Sequence, residues 1–95
     1  MDFEFDWDED KAESNLDKHG VGFPRAAEVF NDPQRLDEAT SRPEHGELRR
    51  KVIGRVGQLM VCVIYTDRDG VRRIISARRA SRREREDYRQ SAETP

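Results

Sequence analysis

The longest apolar run of the chain, Leu59-Met60-Val61-Cys62-Val63-Ile64-Tyr65, limits its fold more than any other feature. It is far shorter than the ~20 residues a membrane helix needs. Its β-branched and aromatic residues, bounded by Gly57 and by Asp67-Arg68-Asp69-Gly70, read as a strand. A strand apolar at nearly every position has no solvent face, so it belongs in the middle of a sheet with both faces covered. Its span is about residues 58–66. Upstream, Val52 and Ile53 mark a strand over about 49–56, and Gly57 turns the chain. Downstream, Asp67 to Gly70 form a hairpin turn with glycine where positive φ is needed. A third strand then runs from Val71 to about Arg78, with Ile74 and Ile75 at its middle. The second half is thus an antiparallel meander.

The first half reads differently. Phe3, Phe5 and Trp7 alternate with Glu4 and Asp6, the period of a short extended segment with one aromatic face. Asp8 is placed to cap a helix over residues 9–19, Ala12 and Leu16 share a face of it, and Gly20 suits its left-handed end. Pro24 fits the first position of a second helix, which runs to about Phe30 and buries Ala26, Ala27, Val29 and Phe30. Asn31-Asp32-Pro33 ends it. Residues 31–47, with Pro33, Pro43 and Gly46, read as a surface loop with a short strand near Arg35-Leu36. Ser81-Arg82-Arg83-Glu84 is a capping box opening a terminal helix with almost no apolar face, frayed over residues 91–95. One α+β domain over residues 1–95 is expected: two N-terminal helices, an antiparallel sheet of three to four strands and a C-terminal helix. Helices should cover one face of the sheet, leaving arginines on the other face or its rim.

The chain is 40% charged, against about 25% for an average globular protein. Mixed signs and periodic apolar runs argue against disorder. The net charge of −2 hides an asymmetry: residues 1–47 hold 14 acids and 5 bases, residues 48–95 hold 6 acids and 13 bases. Fifteen of the 18 bases are arginine, which forks onto phosphate and stacks on bases where lysine offers a point charge. A polyanion, RNA first, is the partner this composition fits. A merely solvated, ion-paired surface is the competing reading. The lone Cys62 lies inside the apolar run and reads as a buried core thiol. No disulfide framework points to an oxidising compartment, and the acidic N-terminus lacks the apolar stretch of a signal peptide, so a cytoplasmic location is expected, with no membrane partner.

Several residues are placed for chemistry. His19 sits at a helix end, where the macrodipole favours imidazolium; it can cap the last carbonyls or serve as a proton donor or phosphate ligand. His45 reads as a surface residue, and no set of ligands makes a metal site. Eight arginines crowd residues 72–89, and strand alternation sends Arg78 and Arg79 to opposite sides. Glu84 and Tyr88 are helical neighbours. A carboxylate, a phenol and guanidiniums together suit RNA cleavage by the 2′-hydroxyl, the arginines holding charge on the transition state. Glu84 can equally do no more than complete the capping box. Lys18, Arg49, Arg50, Lys51, Arg73, Arg82 and Arg83 are the candidates for holding RNA along its length. Charge alone does not separate cleavage from non-enzymatic nucleic-acid binding or corepression.

Asp6-Trp7-Asp8, Asn15-Leu16, Lys18-His19-Gly20-Val21, Phe23, Ala26-Ala27, Val29-Phe30 and Asp32-Pro33 form an ordered pattern. Ile53-Gly54, Val63, Tyr65-Thr66, Arg68, Arg73-Ile74-Ile75-Ser76-Ala77-Arg78-Arg79-Ala80, Glu84 and Tyr88 continue it. Over about residues 3–89 the chain resembles the BrnT toxin family of type II toxin–antitoxin systems, departing at Gly22-Phe23-Pro24, where the second helix usually opens on a polar residue. The resemblance implies a fold similar to the RelE ribonuclease toxins and a bacterial endoribonuclease that arrests growth. It implies no cofactor and a BrnA-like ribbon-helix-helix antitoxin through which the pair binds operator DNA. Carried onto this chain, it makes His19, Arg68, Arg78, Arg79, Glu84 and Tyr88 the candidate catalytic residues.

Overall fold

A computed structural model of the chain describes residues 3–40 and 47–93. The apolar run lies at the centre of a five-stranded sheet. Its strands are β1 Glu4–Asp6, β2 Leu36–Ala39, β3 Arg50–Val56, β4 Leu59–Arg68 and β5 Val71–Arg79, ordered β1-β5-β4-β3-β2. The helices are α1 Glu9–His19, α2 Phe23–Ala26, which passes into a 3₁₀ segment Ala27–Asn31, and α3 Arg82–Glu93. Along β4, Val61, Cys62, Val63 and Tyr65 are all buried, which is why the run is apolar on both faces. The meander β3-β4-β5 is antiparallel as expected. Gly57 carries φ 60° between β3 and β4, and Asp69 (φ 50°) and Gly70 (φ 84°) form a left-handed pair between β4 and β5, whose twist matches the flanking strands.

Four expectations are corrected. The sheet has five strands and is mixed, because the aromatic segment joins it: β1 pairs with β5 in parallel, Glu4 opposite Val71. Period-two alternation reveals a strand but carries no information about a partner at the other end of the chain. The strand near Arg35-Leu36 lies at Leu36–Ala39, paired with β3. The second helix is a single α-turn that tightens into 3₁₀ geometry. There it presses Val29 against the sheet at Gly54, where an added Cβ would lie 2.8 Å from Val29 Cγ2. The terminal helix runs from Arg82 through Glu93. His45, Pro43 and Gly46, and residues 94–95, lie outside the described residues.

The fourth correction concerns layers. Helices cover both faces of the sheet. On the first face, Val21, Phe23, Val29 and Phe30 pack onto Val52, Val63, Tyr65 and Ile74, with Phe3, Phe5 and Trp7 closing the side. On the second face α3 brings Tyr88 over Ile53, Cys62 and Ala80. The terminal helix is attached by few residues, which its polar sequence already announced.

Local signals position α1 well. Asp8 Oδ1 accepts the amides of Asp10 (2.9 Å) and Lys11 (3.3 Å), and Gly20, at φ 71°, donates its N–H to the Leu16 carbonyl at 2.8 Å. Buried Asn15 then clasps the sheet edge: its Nδ2 donates to the carbonyls of Ala77 (2.7 Å) and Val21 (3.1 Å), and its Oδ1 accepts the Ala77 N–H at 3.1 Å. Because β1 reaches only as far as Arg73 on β5, this side chain satisfies backbone groups that the short strand leaves open. Among the described residues, no helix is long and apolar enough to cross a membrane.

Candidate functional site on the second sheet face

The register shows which side chains share the second face. Lys51 lies opposite Ile64, Arg55 opposite Met60, Arg78 opposite Cys62 and Arg73 opposite Thr66. A register shift at Ile64/Tyr65 inserts Ile75 as an extra residue in β5, so Ile74 still faces the first core and Arg73 the second face.

At the centre, Arg78 and Glu84 form a forked pair, Nη1 to Oε1 at 2.7 Å and Nη2 to Oε2 at 2.9 Å. Glu84 also closes the capping box: its Oε1 accepts the Ser81 N–H at 2.8 Å, and its own N–H donates to Ser81 Oγ at 3.2 Å. Lys51 Nζ stands 3.5 Å from Glu84 Oε2 and 3.5 Å from Glu38 Oε1. The two partners differ in exposure: the Glu84 side chain is 9% exposed and that of Arg78 40%. The carboxylate is therefore the buried anchor and the guanidinium the group presented outward. Hydrogen bonds from Arg78 hold Glu84 down at about 2 against the opposing effect of burial, with the Ser81 amide adding to them. Glu84 stays ionised at neutral pH. Beneath it Cys62 is pushed up to about 11, chiefly by burial, and remains a thiol.

One turn along α3, the Tyr88 hydroxyl donates to Asp32 Oδ2 at 2.7 Å. The same carboxylate accepts the amides of Arg55 (2.8 Å) and Gln34 (2.9 Å). Burial would raise Asp32, but these bonds outweigh it and hold it below its ordinary value. Burial and the Asp32 carboxylate both raise Tyr88, so its phenol keeps its proton at neutral pH.

The six catalytic candidates do not form one cluster. Arg78 and Glu84 meet, and Tyr88 lies one turn away, bound to Asp32. Arg68 is at the far end of β4, paired with Glu47. His19 ends α1 on the first-face side, exposed, and Arg79 is exposed opposite Val61, a residue of the first-face core. Neither shares a face with Glu84. Of the residues expected to hold RNA, Lys51 and Arg73 occupy the second face, Arg73 with Asp6 at 3.3 Å. Arg82 and Arg83 are exposed on the first turn of α3. Arg50 turns to the first face and binds Asp37 at 2.8 Å; that hydrogen bond raises its pKa. Arg49 is held beside β2, its carbonyl accepting the Thr40 N–H at 3.0 Å, and Lys18 is exposed on α1.

Sequence reasoning missed Asp32 and Arg55 at this site. Asp32 read as a helix terminator, because its partners lie in β3 and α3. Arg55 carried no signal beyond its charge. Arg72, part of the basic cluster in sequence, is drawn inside: its guanidinium carbon sits 3.9 Å from the Phe3 ring centroid and 4.5 Å from that of Phe30. Among the described residues, no group of three or more His, Cys, Asp or Glu side chains is placed to hold a metal ion.

The fold and this face define a small α+β domain whose terminal helix locks an arginine onto a cationic sheet face. The sequence model of one family, described as the ribonuclease toxin BrnT of type II toxin–antitoxin systems, matches residues 7–84, and the chain belongs to that family. No curated protein matches the chain. As a member it is a ribonuclease toxin, and its family implies an antitoxin partner.

Proposed function

We propose that this toxin is an endoribonuclease that needs no metal ion and uses the second sheet face to hold RNA. The Arg78–Glu84 fork carries the reading: a guanidinium fixed in place by a buried carboxylate, with one edge open toward solvent and with Lys51 beside it. In this mechanism the ribose 2′-hydroxyl attacks the neighbouring phosphorus. Arg78 stabilises the charge that gathers on the phosphorane-like transition state. The 2′-hydroxyl proton passes to solvent water, the 5′-oxygen leaves and takes a proton from solvent, and a 2′,3′-cyclic phosphate remains. Glu84, ionised and doubly bonded, acts as a positioning residue. Tyr88, protonated and tied to Asp32, holds α3 against the sheet. Lys51, Arg73 and Arg68 contact flanking phosphates from the same face. Neither group on α3 titrates near neutrality, so electrostatic stabilisation, and not proton transfer, is the contribution the geometry favours.

The antitoxin, in this reading, is a BrnA-like ribbon-helix-helix protein that covers this face and carries the pair to operator DNA, and the toxin acts in the bacterial cytoplasm. Induction of the chain alone should arrest growth, and co-expression of the antitoxin should restore it. Purified protein should cut RNA in excess chelator and leave cyclic phosphate ends. Activity lost to chelator and restored by magnesium would overturn the mechanism; tight RNA binding with no cutting would return the chain to a binding role.

A further inference from the structure

We propose that the cleft between α3 and the end of β3 is a subsite for a single RNA nucleotide; this rests on the ribonuclease reading of the second face. The cleft encloses about 430 Å³. The Met60 side chain and the Tyr88 ring give it an apolar part, while Arg55, Arg85 and Arg89 bring three guanidiniums to its walls and Gln34 adds an amide. A ligand that uses both parts must be flat and apolar at one end and anionic at the other. A nucleobase with its phosphate has that chemistry: arginine stacks on the base and forks onto the phosphate. A simple anion would leave the apolar part unused, and an apolar peptide would leave the Arg55 fork unused.

The walls are largely prearranged. Asp32 holds the Tyr88 hydroxyl at 2.7 Å, which fixes the ring. Arg85 Nη1 donates to the Ala80 carbonyl at 3.0 Å, and Arg89 pairs with Glu86. Arg55 differs. Its backbone N–H is held by Asp32 at 2.8 Å, while its exposed guanidinium makes no hydrogen bond or ion pair among the described residues. It is a cation fixed at its root by Asp32, whose carboxylate also feels its charge, and its planar fork is left open. The cleft also continues the Arg78–Glu84 site. Lys51, beside Glu84, and Arg55 project from the same face of β3 four residues apart, about 13 Å along the strand. Arg85 directly follows Glu84 on α3. RNA held at Arg78 and followed along β3 enters the cleft, so this pocket would read a base flanking the cut.

The test uses a short single-stranded RNA, 2′-O-methylated so that internal attack is blocked, with one abasic site moved along it. Binding to the intact protein and to Arg55→Gln is measured by fluorescence anisotropy, with folding confirmed by thermal melting. At one position the abasic site should weaken binding to the wild type roughly tenfold, the scale of losing one stacked base. Arg55→Gln should bind the intact RNA about tenfold more weakly and lose that positional penalty. Arg55→Lys, which keeps charge but not the planar fork, should lose the penalty while keeping more affinity. A penalty equal at every position, or one that Arg55→Gln retains, overturns the subsite. So does an Arg55→Gln protein that loses antitoxin but not RNA, which would make the cleft a protein-docking surface. Parallel cleavage of unmodified RNA separates the two readings. An Arg55-dependent penalty without cleavage keeps the subsite and removes the mechanism. Cleavage with KM unchanged in Arg55→Gln does the reverse.

Discussion

Gly54 shows how closely single residues are constrained here. A methyl group at that position would lie 2.8 Å from Val29 and 3.2 Å from the Asp32 carboxylate. Gly54→Ala should therefore destabilise the protein by about 1–3 kcal/mol, the usual cost of overpacking, seen as a lower urea midpoint with unchanged slope. Arg78 and Arg79, adjacent in sequence and on opposite faces, should separate in function. Arg78→Ala should slow single-turnover cleavage by ~10²–10³, the scale of removing a preorganised donor to transition-state charge. Arg79→Ala should leave that rate within a few-fold; equal small losses in both would remove Arg78 from the reaction. Turns and caps were legible at this scale because they depend on near neighbours, as Asp8, Gly20, Gly70 and the Ser81–Glu84 box show. Asn15 and Asp32 were not: their partners lie 62 and 56 residues away, and nothing local marks a side chain for such a contact.

Among the elements, α3 is held by the least material, and what holds it titrates. Glu84 lies at about 2 in the folded protein against an ordinary 4.5. A folded value below the unfolded one means that the stabilisation is complete above about pH 4.5 and is lost as pH falls toward 2. About 3 kcal/mol is the upper figure for that loss. Thermal melts across this window should show a steep fall for the wild type and a flatter one for Glu84→Gln. An identical acid profile in both would place the sensitivity elsewhere. Tyr88→Phe should lower stability by about 1–3 kcal/mol by leaving the Asp32 carboxylate without the phenol, read from the same melts. The three meander strands could be read from sequence because apolar runs and hairpin residues bound each one. The parallel pairing of β1 could not, since alternation is the same whichever edge a strand joins. The collapse of the second helix into a 3₁₀ segment also escaped the sequence, because it answers to the sheet beneath it.

Across the whole molecule, charge is divided along the chain. Acids dominate the segment that builds α1 and β2, and arginines dominate the meander and α3. Capture of an acidic antitoxin surface by the second face should be steered by this field. Its association rate should fall as salt rises while dissociation changes less, measurable by stopped-flow mixing; an on-rate indifferent to salt would count against charge-led capture. The division was visible in the sequence, but which arginines remain outside was not, as Arg72 shows. The parallel pairing of β1 with β5 has a consequence in translation. β1 is made before the meander, yet it finds its place only against β5, with Glu4 meeting Val71. Until β5 has emerged, Phe3, Phe5 and Trp7 have no sheet edge to join, and Glu84 is synthesised later still, so a nascent chain lacks both a closed sheet and a fixed Arg78. The geometry proposed for cutting RNA can therefore form only after residues 71–84 have cleared the ribosome.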